Sequence, residues 1–363
     1  MHLLEEKIFA NALNLIPELG PIRLAQLRKY FGSWQKAWAT PADQYRLAGL
    51  PDKVIDKIIA RKSQINPEQS FAELTRRQIE LVLDVESEYP ELLKEISARP
   101  AMLYVRGNKS VLNSITIGVV GTRKITTYGR QVCEELVAGL VQSNITVVSG
   151  LAFGVDAEAL NACVANEGVA IAVLASDLDN LSISPRTNFQ LAQKIMEKGC
   201  LVSEYPLGYS VQKQNFPIRN RILSGLSLGT IVIEADTKSG ALITANFALE
   251  QNREVFAIPG SIFSPTSRGT NELIRQGAHL VTSVAHVLEQ LNLSGSIVSE
   301  PVNLVASDEE QLILGKLSKE PTHIEDLIRN LKLPAAVVNA NLTMLEMKSR
   351  VKNLGGAKYI KIR

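Results

Sequence analysis

The chain has 363 residues, 45% of them hydrophobic, and a formal net charge of +2. That length predicts two or three domains with full cores, and the near balance of charge excludes a polycation, so any nucleic-acid site has to come from local clustering of basic groups. The three cysteines, Cys133, Cys163 and Cys200, are far apart, which gives no zinc pattern and no disulfide framework and fits a reducing cytoplasm.

In chain order, "MHLLEEKIFA" lacks the basic start and apolar core of a secretory signal, and no stretch is long and apolar enough to span a bilayer. Residues 1–66 read as short helices without strand alternation. Two stretches, "LIPELGPIRLAQLRKYF" and "RLAGLPDKVIDKIIARK", place a Gly and Pro turn before an amphipathic helix. This pattern suits a helix-hairpin-helix or SAM-like module, which either meets DNA phosphates through its turns or serves as a docking module. "NPEQS" marks a boundary, and residues 70–291 alternate strands with helices. "ITIGVVG", "ITVVSG", "VAIAVLA", "LVSEYP", "TIVIEA", "EVFAIPG" and "HLVTS" are short and β-branched without polar alternation. Such runs are buried on both faces, which predicts a doubly wound, mostly parallel Rossmann-like α/β sheet. "IELVLDVESEYPELLKEISARPAMLYVRGN" precedes it and adds edge strands. After the polar linker "NLSGSIVSEPVNLVASD", residues 306–363 offer three helix patterns and two strands around Gly355-Gly356, a winged helix.

Open parallel sheets bind ligands beyond the carboxyl ends of their strands. Five such ends carry Gly, Ser or Thr before a helix, most with Arg or Lys alongside. They are Gly121-Thr122-Arg123, Ser149-Gly150, the loop with Lys213, Ser239-Gly240, and Arg268-Gly269-Thr270. Glycine allows close backbone approach and hydroxyls donate, so this is a phosphate-binding rim. "NFPIRNRILSGLS" adds Phe216, Arg219, Asn220 and Arg221 at a helix start. The P-loop and the Gly-x-Gly-x-x-Gly fingerprint are both absent. An aromatic among basic groups suits a single strand instead, whose bases stack while cations follow the backbone. Phe216 is then a stacking platform or a buried staple. Arg221 is a ligand or the ion-pair partner of Glu204 or Glu234. Asp156, Glu204 and Glu234 are the carboxylates that a nucleotide-processing hydrolase would need as acid and base.

"GVVGTRKITTYG", "VVSGLAFGVD", "SEYPLG", "FPIRNRILSGLS", "EADTKSGALITA", "VFAIPG" and "GTNELIRQGA" stand in the order seen in the DNA-processing protein DprA (Smf) family, which the chain resembles over nearly its whole length. The resemblance implies an extended Rossmann core that binds single-stranded DNA without sequence preference. It implies protection of incoming strands in natural transformation, loading of the RecA recombinase, a homodimer through the core, and no catalytic cycle, metal or cofactor. Carried over, Arg123, Lys213 and Phe216 hold the strand. Gly121, Ser149, Gly150, Asn220, Ser239, Gly240 and Thr270 supply rim contacts, and Thr122, Arg219, Arg268 and Gly269 belong to the same rim. The chain departs from the family pattern in three places. Ile218 replaces an acid, "AEAL" after Val155-Asp156 lacks a histidine, and "ASDLDNLSISP" lacks the glycines and tyrosine of the third-strand loop. In the tail, Lys348, Arg350, Lys352, Lys358, Lys361 and Arg363 make a basic wing suited to weak contact with duplex backbone. Two alternatives stand beside the leading reading: the hydrolase, and a transcription regulator acting through the winged helix.

Overall fold

The computed structural model describes residues 2–209, 211–293, 307–347 and 350–362. The chain divides into two compact units, Met1–Ile297 and Val298–Arg363.

The first unit opens with six helices: α1 (His2–Asn14), α2 (Pro21–Phe31), α3 (Trp34–Ala39), α4 (Ala42–Leu47), α5 (Asp52–Lys62) and α6 (Pro67–Arg76). Their ends follow from local chemistry. Pro21 pre-sets the first turn of α2, and Gly32 closes it in the left-handed conformation. The side chains of Ser33 and Asn66 accept hydrogen bonds from Lys36 N–H and Gln69 N–H, capping α3 and α6. Leu13, Leu27, Trp34, Tyr45, Ile58 and Leu74 are buried in one continuous core with residues of the sheet that follows.

That sheet has nine strands: β1 (Glu80–Leu83), β2 (Met102–Gly107), β3 (Thr116–Val120), β4 (Thr146–Ser149), β5 (Ala170–Val173), β6 (Cys200–Ser203), β7 (Gly229–Val232), β8 (Glu254–Ala257) and β9 (His279–Leu280). The spatial order is β1-β2-β6-β5-β4-β3-β7-β8-β9. The seven strands from β3 to β9 pair in parallel, and β1 and β2 form the antiparallel edge. The strands expected from the apolar runs are all present, although β9 keeps only two residues of "HLVTS".

The connecting helices are α7 (Glu91–Lys94), α8 (Thr127–Gln142), α9 (Val155–Ala165), α10 (Phe189–Lys198), α11 (Asn215–Gly225), α12 (Gly240–Glu250), α13 (Arg268–Arg275) and α14 (Val284–Gln290). Successive strand residues point to opposite faces. Val147 of β4 joins the core shared with α8, α9 and α10, whereas Val148 joins the one shared with α11 and α12. This double burial is why the strands carry no polar alternation. From β3 the chain steps through β4 and β5 to β6. It then crosses back by α11 to β7, on the other side of β3, and continues to β8 and β9. The direction of winding therefore reverses between β3 and β7, where a doubly wound sheet opens a crevice.

The second unit packs α15 (Asp308–Lys316), α16 (Ile324–Leu331) and α17 (Ala335–Met347) on a small sheet of β10 (Thr322–His323), β11 (Val351–Asn353) and β12 (Lys358–Lys361), in the order β10-β12-β11. Ser307 and Glu310 form a capping box at α15. Ile313, Leu327, Val338, Leu342 and Val351 fill its core. The expected hairpin is β11–β12, and β10 is a third strand too short to show a sequence period. On α17, Asn339 and Thr343 bond within the helix and Asn341 reaches Glu309 of α15. The basic tail residues Lys348 and Arg363 lie outside the described residues. No helix among the described residues is long and apolar enough to cross a membrane.

Because the six opening helices share their core with the sheet, Trp34→Ala is expected to cost about 3–5 kcal/mol in the same unfolding transition that Val147→Ala shifts. Thermal denaturation followed by circular dichroism, with each variant in turn, checks this. A separate early transition moved by Trp34→Ala alone would show that the helices unfold independently.

Candidate nucleic-acid interface

At the crevice between β3 and β7 the strand-end loops enclose an open cavity of about 430 Å³. Its wall comes from the β3–α8 loop, the start of α11 and the β7–α12 loop. Gly121, Thr122, Arg123, Lys213, Phe216, Arg219, Asn220, Ser239 and Gly240 of the sequence-expected rim all line it.

Buried polar groups hold these loops in place. Glu234, at the end of β7, accepts hydrogen bonds from Thr126 N–H (2.9 Å), Thr126 Oγ1 (2.7 Å) and Thr266 Oγ1 (2.9 Å). One carboxylate thus ties the turns after β3 and β8 to the end of β7. Thr126 in turn caps α8 through Gly129 N–H. The turn after β4 is fixed against the turn after β3. Val155 N–H donates to Thr122 O at 3.1 Å, and Gly154, with φ +77°, leaves no room for a Cβ against Thr122 O and the Arg123 backbone. Only glycine both adopts that dihedral and permits this approach.

Arg219 forms the floor. It is only 4% exposed, and its Nη1 donates to Gly150 O at 2.8 Å and to Val173 O. Its Nε donates to Asn220 Oδ1 at 3.2 Å. Burial pulls the guanidinium below its ordinary pKa, with Asp156 opposing. Burial likewise pushes the Asp156 carboxyl up, against the pull of Arg219 and the backbone N–H groups of Ala152 and Gly150. Each charge therefore stabilises the other in a place where either alone would be costly. Arg221, one residue beyond Asn220, is turned away from the cavity. Its Nη2 donates to both carboxylate oxygens of Glu204 at 2.7 Å, so Arg221 is an ion-pair partner of Glu204.

The open side is different in character. Arg123, Lys213 and Lys238 line the cavity with exposed side chains, and Phe216 is half-buried between them. The Arg123 guanidinium lies over the Phe216 ring, 5.3 Å from its centroid, within cation–π range. Four basic side chains face two acidic ones, Asp156 and Asp236, and one of those two, Asp156, is already matched to Arg219. The cavity thus presents an aromatic face beneath exposed cations, with backbone at Gly240 open to close approach, whereas the missing side chain of Gly121 makes room for Val155 and the Glu234 carbonyl.

Five of the expected rim residues do not line it. Ser149 is fully buried and donates to Val119 O at 2.7 Å, so its hydroxyl joins two strands. Gly150 lies behind Arg219, where a Cβ would run into both the guanidinium and the Asp156 carboxylate. Gly269 packs on Ala235 O and donates to it at 2.8 Å, and buried Thr270 donates to Ser267 O at 3.1 Å. Arg268 is exposed at the start of α13, away from the cavity. A βα-turn signature is the same whether its glycine serves a ligand or a neighbouring loop, so these five look like the others in sequence. Lys238 and Asp156 line the cavity without being among the expected strand contacts, and Lys238 was signalled only by its place in the Thr237–Gly240 turn.

The altered third-strand loop stays off the cavity. Asp177 accepts a hydrogen bond from Gly208 N–H at 2.6 Å, Asp179 pairs with Arg77, and Asn180 accepts from Arg106 at 2.7 Å. Ile218 is 43% exposed and also absent from the lining.

Two family models match the chain: DNA recombination-mediator protein A over residues 80–292 and the DprA winged helix domain over residues 303–357. Protein Smf of Synechocystis sp. is 33% identical, with the match covering 98% of each chain. The X-ray structure of DNA processing protein A from Streptococcus pneumoniae aligns with TM-score 0.68 at 32% identity, covering 80% of this chain and 99% of that one. A structure of DNA processing protein A from Helicobacter pylori, described for its single-stranded DNA binding mode, aligns with TM-score 0.54 at 28% identity over 60% of this chain and 97% of that one.

A matched pair of substitutions separates support from surface. Gly150→Ala has to displace the buried Arg219–Asp156 pair and is expected to cost about 1–3 kcal/mol. Gly240→Ala meets no atom within 4 Å and is expected to stay within about 0.5 kcal/mol of the parent. Urea denaturation of both variants checks the contrast.

Proposed function

The chain belongs to the DNA recombination-mediator protein A family, and we propose that it binds single-stranded DNA without sequence preference through the β3–β7 cleft and hands it to the RecA recombinase. The observation that carries this reading is the exposed face of the cleft. Phe216 lies beneath Arg123, with Lys213 and Lys238 on the same rim. Stacking on an aromatic is tolerant of sequence because every base has a π-face, and cations along the rim suit a phosphate chain. The single-stranded DNA binding mode described for the H. pylori relative supports the same use of the fold. Protection of incoming strands in natural transformation, a homodimer through the Rossmann-like core and a cytoplasmic setting complete the proposal, on the family's pattern. A weak duplex contact by the winged helix fits it too.

The role is binding rather than turnover. The carboxylates that a hydrolase would need are engaged in support: Glu204 with Arg221, Glu234 with Thr126 and Thr266, and Asp156 with Arg219. The remaining carboxylate of the lining, Asp236, is exposed and accepts from the N–H and hydroxyl of the adjoining Thr237, with no second acid of the described lining beside it that is not already engaged.

Fluorescence anisotropy with labelled oligo-dT and an equal-length duplex, across a salt series, tests the reading. Oligo-dT is expected to bind more tightly than duplex, with a slope of log K on log salt of roughly −0.7 per phosphate neutralised. Arg123→Ala should flatten that slope. Phe216→Ala should cost about 1–3 kcal/mol with the slope nearly unchanged, since stacking releases no counterions. The double variant should lose less than the sum, because the two side chains touch. Failure of oligo-dT to bind at low salt would overturn the reading.

A further inference from the structure

We infer that the bound strand continues past Arg123 into a second basin, where Phe153 stacks a further base; this rests on the single-strand reading above. The second basin is an open cavity of about 590 Å³ lined by Arg123, Lys124, Arg130 and Phe153 among others. Arg123 lines both cavities, so the two are neighbours across that side chain. A strand laid along the rim passes from one to the other over Arg123 and Lys124, while the one acid of the second basin, Glu158, is taken up by Arg130.

Phe153 is 52% exposed. A single exposed apolar side chain is ordinary by itself. Two observations set this one apart. First, its backbone is held rigidly. Leu151 O accepts a hydrogen bond from Asn188 Nδ2 at 2.9 Å, Val155 N–H donates to Thr122 O at 3.1 Å, and Gly154 packs against the Thr122 and Arg123 backbone. The turn can present an aromatic ring without first having to be ordered, and preorganisation of this kind favours binding. Second, the ring stands among cations, as Phe216 does. Arg130 is ion-paired with Glu158 and is assigned no phosphate. Arg123 and Lys124, both exposed, are left to follow the backbone between the two rings. An aromatic, a basic segment and a second aromatic along one rim form a stacking platform for successive bases.

The experiment compares oligo-dT of about 6 and about 20 nucleotides, lengths that bracket the span of one cleft, against the full chain and its variants by anisotropy. Phe153→Ala is expected to weaken the long oligonucleotide roughly 5- to 100-fold while leaving the short one unchanged. Phe153→Trp should restore the long-oligonucleotide affinity, which a merely structural role for Phe153 would not predict. Lys124→Ala should flatten the salt slope for the long oligonucleotide alone. If wild type binds both lengths and Phe153→Ala changes neither, the extended path is overturned and the first cleft stands. Equal loss at both lengths also overturns it, since Phe153 would then act within the first cleft. Failure of wild type to bind either length would overturn the single-strand reading and the extension together.

Discussion

Everything at the cleft rests on one buried charge. Arg219 reaches from α11 beneath the turns after β4 and β5 and donates to the carbonyls of Gly150 and Val173. Those carbonyls stand at strand ends, where the ladder no longer supplies a partner, and a buried unpartnered carbonyl is expensive. The guanidinium meets that need with its fixed fork of donors, which a lysine could not reproduce. Its own charge needs a counterion, and Asp156 at the start of α9 supplies one. Gly150 must then lack a side chain so that the pair has room. The position of α11, and with it of Phe216, follows from this set.

The same logic explains why so much charge lies near the cleft and so little of it is free. Glu234 fixes three loops, Glu204 holds Arg221, and Asp156 holds Arg219. Low-dielectric surroundings make such pairs rigid and costly to break. The layer above them, Arg123, Lys213 and Lys238, is exposed, with Arg123 lying over the Phe216 ring. A braced floor under an exposed cationic rim suits the polyanion proposed above.

The sheet was legible because burial on both faces leaves an uninterrupted apolar run, and the glycines and hydroxyls after each strand mark its carboxyl end. That is why Gly121, Arg123, Ser239 and Gly240 could be placed at one edge from sequence alone. What sequence does not carry is which way a side chain faces once the loops fold. Arg219 and Arg221 are two residues apart and look alike in the string, yet one floors the cavity and the other pairs with Glu204. Ser149 and Ser239 both stand toward the carboxyl ends of strands, but one is fully buried as the last residue of β4 and the other caps α12. The distinction depends on long-range partners, which have no local period. β10 was missed for a related reason: two residues are too few to display one.

The contact between Arg123 and Phe216 sets how charge and stacking combine. The guanidinium covers one face of the ring and spares it from full exposure to water. A base stacking on that face has to displace Arg123, and a phosphate nearby gives the displaced cation somewhere better to go. A neutral aromatic ligand offers no such exchange and must forfeit the cation–π contact. On the proposed reading, the pair favours a ligand that brings a ring and an anion together, a few ångströms apart and repeated along a chain. Neither residue confers this preference alone, because it lies in the 5.3 Å between them.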